Sequence, residues 1–146
     1  MPIQWTWRAG ALTNAEGHEL ASVRDGVLTT AAGERLAVES SLDSSSPRFF
    51  LRAQTAAGED FSVTQAGITV TRLRATCADR EYLLERRNPF RRERRIVARS
   101  TGAEVAATAP AGVDLRVSVG ELPELDAIIL SYACALLDAT PRTLRT

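Results

Sequence analysis

Pro123-Glu124-Leu125-Asp126-Ala127-Ile128-Ile129-Leu130-Ser131-Tyr132-Ala133-Cys134-Ala135-Leu136-Leu137-Asp138 is the run that decides the fold. No glycine interrupts it, and its spacing is helical. Pro123 suits a first helical position, where its missing N–H costs nothing. Glu121, Glu124 and Asp126 place negative charge at the positive end of the helix dipole. From Ala127 to Leu137 the apolar residues cover every face. A helix resting on a sheet surface would keep one polar face, and this one has almost none. The apolar stretch is shorter than the 17–25 residues that cross a bilayer. The pattern therefore predicts a buried core helix over 123–138, with Ile128, Ile129, Tyr132 and Leu136 inside. Residues 139–146 read as a loose tail after a single domain over 1–138.

Working backward, everything before that helix reads as short strands between glycine turns. Leu12-Thr13-Asn14-Ala15-Glu16-Gly17-His18-Glu19-Leu20 is the first clear unit. Leu28 to Leu36 around Gly33 and Ala53 to Phe61 around Gly58 repeat it, and Arg99 to Val105 around Gly102 is a looser copy. Each glycine sits where a hairpin needs a positive φ. Asp25-Gly26, Ala66-Gly67, Asn88-Pro89 and Ala111-Gly112 mark further turns, and Ser40 to Pro47 reads as a longer loop. Strands are expected near 3–8, 10–14, 18–24, 26–30, 34–39, 48–54, 59–65, 67–74, 80–86, 93–99, 103–108 and 113–119. One strand per ten residues is the spacing of a sandwich or barrel. About a dozen strands can close around a helix. The fold class is mainly β: a closed antiparallel β-barrel of about twelve short strands around a buried C-terminal hydrophobic helix.

That layout resembles the tubby C-terminal-like superfamily, which includes the tubby domain, phospholipid scramblases and the plant LURP-one-related proteins. The matching stretch runs from Ile68 to Leu137. It takes in Tyr82-Leu83-Leu84, the turn at Gly102, and Asp114-Leu115-Arg116-Val117 leading into Leu125-Asp126-Ala127-Ile128-Ile129-Leu130. The resemblance implies a closed barrel wrapped around the C-terminal helix. The chain is shorter than usual for that family. The tubby domain binds phosphoinositides partly through a lysine, and this chain has none. Nor does it match the scramblase calcium-binding segment or palmitoylated cysteine cluster. No lipid-binding residue is carried over.

Composition narrows the chemistry. The 146 residues carry 18 basic and 18 acidic groups, so net charge offers no general attraction to nucleic acid or membrane. Every basic residue is arginine, which fits a GC-rich bacterial genome and removes lysine-dependent catalysis. The N-terminus lacks the basic and apolar regions of a secretory signal, which points to the cytoplasm. Cys77 and Cys134 match no metal spacing and read as free thiols. His18, the only histidine, falls in a turn. Zinc would need partners at metal spacing, and none appear, so no metal or other cofactor is expected. No serine-nucleophile elbow, dinucleotide turn or phosphate loop is present. Glu59 with Asp60, and Glu121 with Glu124, read as turn polarity and helix capping ahead of acid–base pairs. Trp5 and Trp7 share one strand face and read as core anchors ahead of a stacking platform.

One feature stands out: Arg86-Arg87-Asn88-Pro89-Phe90-Arg91-Arg92-Glu93-Arg94-Arg95. Six arginines lie within ten residues, diluted by one glutamate. The run is expected at a hairpin tip with Phe90 exposed. Arginines meeting lipid headgroups while a ring dips into the interface would suit an anionic membrane surface. Five net charges and a partly inserted ring would give about 5–7 kcal/mol, a weak and salt-sensitive attachment. The candidate binding residues are Arg86, Arg87, Phe90, Arg91, Arg92, Arg94 and Arg95. A solvated loop paired with surface acids uses the same arginines, and so would nucleic-acid phosphate binding. The expectation is a non-catalytic binding or scaffold module, cytoplasmic or peripheral to a membrane, without a transmembrane span. Its partner would be an anionic membrane surface or an acidic protein, with no nucleic acid expected. The alternatives are a small enzyme with a carboxylate-based site in an open barrel, and a nucleic-acid phosphate binder.

Overall fold

A computed structural model describes residues 2–139 apart from Ser45 and Pro89. The expected tail at 140–146 lies outside the described residues, as does Pro89 of the Asn88-Pro89 turn. Among the described residues twelve strands form a closed barrel. They are β1 (Ile3–Arg8), β2 (Ala11–Asn14), β3 (Glu19–Arg24), β4 (Val27–Thr30), β5 (Arg35–Ser40), β6 (Phe50–Gln54), β7 (Asp60–Gln65), β8 (Arg72–Cys77), β9 (Arg80–Arg86), β10 (Arg94–Ala98), β11 (Glu104–Ala111) and β12 (Asp114–Val119). Each strand pairs antiparallel with the next in sequence. β12 returns to β1 with Trp5 opposite Val117, which closes the wall.

Two-residue turns make several of these hairpins tight. Ala9-Gly10 and Asp25-Gly26 each hold both central residues at positive φ, the type I′ geometry that matches strand twist. The strand expected at 67–74 is displaced. Residues 66–71 form a connection in which Ile68 is 93% exposed, and β8 instead runs to Cys77. The turn into β9 is Ala78-Asp79, with Ala78 left-handed at φ 56° and no glycine to announce it. The alternating apolar and polar residues Ile68-Thr69-Val70-Thr71 thus lie outside any strand.

The helix α1 (Glu124–Cys134) continues through a π-helical turn, Ala135–Ala139. Pro123 stands at its N-cap, one position earlier than expected. Ile128 and Ile129 are buried, whereas Tyr132 and Leu136 are partly buried. Ala139, the first residue of the expected tail, closes the helix and is buried. Asp126 meets Arg80 and Asp138 meets Arg86, so the helix spans the same length of the barrel as β9, while its backbone comes nearest β7, β11 and β12. The lengths agree: twelve helical steps rise about 18 Å, and six strand steps about 20 Å.

Inward residues from every part of the wall face this helix. Trp5, Leu12, Leu28, Leu36, Leu51, Val63, Leu73, Leu84, Ile96 and Val117 are all buried with it in one cluster. Trp7 fixes the helix by geometry as well as by area. Its indole N–H donates to Ser131 Oγ at 2.8 Å, and its ring lies 5.3 Å from that of Tyr132. The Ser131 hydroxyl in turn donates to the Ile128 carbonyl. The buried Ser131 hydroxyl is thus satisfied, as burial requires.

Candidate functional site

Antiparallel order sends every connection that follows an odd-numbered strand to one end of the barrel. The β9–β10 connection, which carries the arginine run, lies at that end. The Asn88 side chain shapes its tip by accepting the backbone N–H groups of Phe90 and Arg91, each at 2.9 Å. Phe90 is 95% exposed, as expected of a protruding ring. Arg91 is exposed, 3.9 Å from Glu93. Arg87 pairs with Glu104 at 2.8 Å. Arg95 lies on the outer wall against Glu85 at 3.2 Å.

Three of the seven candidate residues turn away from a surface role. Arg94 is fully buried, and its Nε donates to Asp138 Oδ2 at 2.6 Å. Arg86, directly opposite Arg94 in the sheet, also points inward and reaches Asp138 Oδ1 at 3.2 Å. Arg92 is half-buried and donates to the Asp138 main-chain carbonyl at 3.4 Å. The reason is strand periodicity. Leu84 and Ile96 face the core, so the residues two steps away, Arg86 and Arg94, face it too. Like charges directly opposite one another repel. Asp138, delivered by the last turn of the helix, lies against both.

A second buried carboxylate, unnoticed in the sequence except as a helix-dipole charge, lies at the other barrel end. Asp126 accepts from Arg80 Nε at 2.7 Å, from Arg80 Nη2 at 2.9 Å and from Tyr82 Oη at 2.5 Å. Burial and then the bond to Asp126 push the Tyr82 phenol well above its ordinary range, so it remains a proton donor. Burial likewise raises the nearby Cys77 thiol, and raises Cys134 to about 12. Both cysteines are free and buried. With three donors on its carboxylate, Asp126 is poorly placed to take a proton from a substrate. A surface groove of about 1000 Å³ runs past Arg80, Tyr82, Arg99 and Glu121 at this end.

The remaining sequence candidates are dispersed. His18 is exposed in the β2–β3 turn, its backbone N–H donating to Asn14 Oδ1. Glu59 and Asp60 stand exposed on a hairpin, with Asp60 accepting from Gln54. Glu121 and Glu124 are exposed at the entry to the helix. Trp5 and Trp7 are core. Among the described residues no group of three or more His, Cys, Asp or Glu side chains could hold a metal ion. A cavity of about 220 Å³ lies beside Trp7, Gly10, Val113, Tyr132 and Leu136, at the end that carries Phe90.

Among the described residues no helix is long and apolar enough to cross a membrane. The barrel wall has its own polarity. Arg52, Arg72, Arg74, Glu81 and Arg116 lie on its outer face, and apolar residues line its inside. A barrel that spans a bilayer has the opposite arrangement, with an apolar band outside. This outer wall is a water-facing surface. Comparison with family models, with curated proteins and with solved structures returned no match.

Proposed function

We propose that the chain is a non-catalytic binding module of tubby C-terminal-like type, attached weakly to an anionic membrane surface through the β9–β10 tip. The likeness to that superfamily is supported by layout: a closed barrel with its C-terminal helix inside. A binding role is favoured over catalysis because the helix occupies the barrel interior and both buried carboxylates are engaged by arginine. The observation that carries the membrane reading is Phe90, 95% exposed on a turn held in shape by Asn88 and flanked by Arg87 and Arg91.

The magnitude is smaller than the sequence suggested. Arg94 and Arg86 are withdrawn into the barrel, and Arg92 partly so. Arg87, Arg91 and Arg95 stay outside at roughly 1 kcal/mol each near an anionic surface, reduced by the acids that pair them. Full burial of a phenylalanine ring adds about 1.5–3 kcal/mol. One tip therefore gives weak attachment.

Flotation with neutral and with anionic vesicles, at low and high salt, tests the reading. The chain should float with anionic vesicles at low salt and be partly released by salt, the remaining binding coming from the unscreened ring. Phe90→Ser should weaken flotation at both salt concentrations, because ring burial is not screened. Arg87→Ser with Arg91→Ser should weaken it chiefly at low salt. The melting temperature should barely move, since exposed ion pairs contribute little. A parent protein that ignores anionic vesicles at low salt sinks the proposal.

A further inference from the structure

Five large apolar side chains stand exposed among the described residues: Ile3, Leu42, Ile68, Phe90 and Val113. Single exposed apolar residues are ordinary on a protein surface. Their distribution here is not scattered. Leu42 lies in the β5–β6 connection, Ile68 in β7–β8, Phe90 in β9–β10 and Val113 in β11–β12. All four connections follow odd-numbered strands, so all four tips crown the same end of the barrel. They are also consecutive around the rim, two strand spacings apart, or about 10 Å. Only Ile3, at the start of β1, lies at the opposite end.

Local bonding holds the tips bearing Leu42, Ile68 and Phe90 in place. Arg48, in the β5–β6 connection, donates to the carbonyls of Gln65, the last residue of β7, at 3.3 Å and of Gly67, in the β7–β8 connection, at 2.9 Å. The Gln65 side chain donates to the same Gly67 carbonyl and accepts the backbone N–H of Phe49. The connections bearing Leu42 and Ile68 are thus tied to each other. Asn88 fixes the turn bearing Phe90. Apolar side chains held outward by such bonding need no reordering to enter an interface, which lowers the entropic cost of docking.

Charge separates the two ends in the same sense. At the opposite end, Glu16, Glu34, Glu59, Asp79 and Glu121 stand in the turns, and Arg99 is the one arginine among them. The apolar end carries Arg48, Arg87 and Arg91 exposed in its connections and Arg92 half-buried, against Asp25 and Glu93. The opposite end is clearly acidic and the apolar end is not, so an anionic surface is approached with less repulsion by the apolar end.

We infer that the barrel docks end-on to an anionic lipid bilayer, with Ile68, Phe90 and Val113, joined by Leu42, entering the interface together. This rests on the membrane reading of the Phe90 tip and extends it from one hairpin to the rim. It also supplies what a single tip lacks, since several shallow insertions add on one rigid frame.

The test is binding of the full chain to phosphatidylcholine vesicles with and without about one-third phosphatidylserine, for the parent and for single variants. Ile68→Ser and Val113→Ser should each weaken binding about fivefold to tenfold, equivalent to about 1–1.4 kcal/mol. Ile3→Ser, at the far end, should bind as the parent does. Loss with Phe90→Ser but not with Ile68→Ser or Val113→Ser would leave the single-tip reading standing and overturn end-on docking. Failure of the parent to bind either vesicle would overturn both. Equal loss with Ile3→Ser would mean non-specific apolar adsorption, which also overturns it. Sedimentation of the same proteins without lipid covers the remaining occupant. If Ile68→Ser abolishes a self-association shown by the parent and leaves vesicle binding unchanged, the rim is a contact between copies of this chain and not a membrane surface.

Discussion

Arg94 Nε donates to Asp138 Oδ2 at 2.6 Å with both side chains fully buried, and this pair joins the end of the helix to the start of β10. It makes an arginine from the most basic stretch of the chain part of the core. A buried ion pair is weak evidence for net stability, but breaking one side of it is costly. Arg86 makes the two sides unequal. Replacing Asp138 with Ala leaves two opposed guanidinium groups facing each other inside the barrel. Replacing Arg94 with Met leaves Asp138 still bonded to Arg86. Asp138→Ala should therefore cost about 3–5 kcal/mol, and Arg94→Met clearly less. Urea denaturation of both variants checks the order. If Arg94→Met proves the more damaging, Asp138 is not the shared counterion described above.

This cluster also marks how far the sequence could be read. The twelve strands and the enclosed helix were legible because turn glycines and the period of the apolar residues are local signals. Strand β8 was misplaced because its closing turn, Ala78-Asp79, uses an alanine at positive φ, which no residue type announces. The arginine run was legible as a hairpin, and Phe90 as its exposed ring. The inward orientation of Arg86 and Arg94 was within reach, since each lies two residues from a core-facing Leu84 or Ile96. Parity and residue type conflict there, because arginine is ordinarily exposed. The partners Asp126 and Asp138 were not legible. Their pairing depends on the depth at which the helix sits in the barrel relative to β9, which is a tertiary fact with no local trace.

Tyr82, Cys77 and Cys134 are three acids whose protonated forms the fold favours, since burial is the largest cause in each case. Cys134 is raised from 9.0 to about 12, and the other two also move upward. In the unfolded chain the thiols lose protons near pH 9 and the phenol near pH 10. Between those values and the higher folded ones, the native state binds more protons than the unfolded state, so stability falls as pH rises. The expected outcome is alkaline destabilisation beginning near pH 9, with each group contributing up to about 1.4 kcal/mol per pH unit. Cys134→Ala should flatten the fall between pH 9 and 12, and Tyr82→Phe should flatten it above pH 10. Urea midpoints across that range give the slopes. An unchanged slope in Cys134→Ala would place that thiol in contact with solvent.

Ile129 is 1% exposed in the middle of the helix. Ile129→Asp would place a carboxylate in an apolar interior, at a cost beyond the total stability of an ordinary domain unless it found a partner. The variant should fail to give a cooperative melt by near-ultraviolet circular dichroism. Trp7→Phe is the milder counterpart. It removes the indole donor to Ser131 while keeping an aromatic ring beside Tyr132, and should cost about 1–3 kcal/mol. A cooperatively melting Ile129→Asp protein would mean that the helix does not occupy the barrel.

Gly120 is where the chain leaves β12 to enter the helix, and its backbone N–H bonds the Val105 carbonyl at 2.8 Å. A Cβ built at this position would lie 2.8 Å from that same carbonyl oxygen and 3.4 Å from its carbon. Both are main-chain atoms of β11, so no side chain can swing aside to relieve the contact. Either the hydrogen bond lengthens or β11 shifts against β12. Gly120→Ala should therefore destabilise by about 1–3 kcal/mol, in the range of overpacked sites. Gly67 is the control, because a Cβ there meets nothing within 4 Å. Gly67→Ala should be neutral or slightly stabilising, by up to about 1 kcal/mol, through the reduced freedom of the unfolded chain. Thermal melts of the two alanine variants side by side separate the effects. If both prove neutral, the entry to the helix is not held against β11 as closely as these distances require.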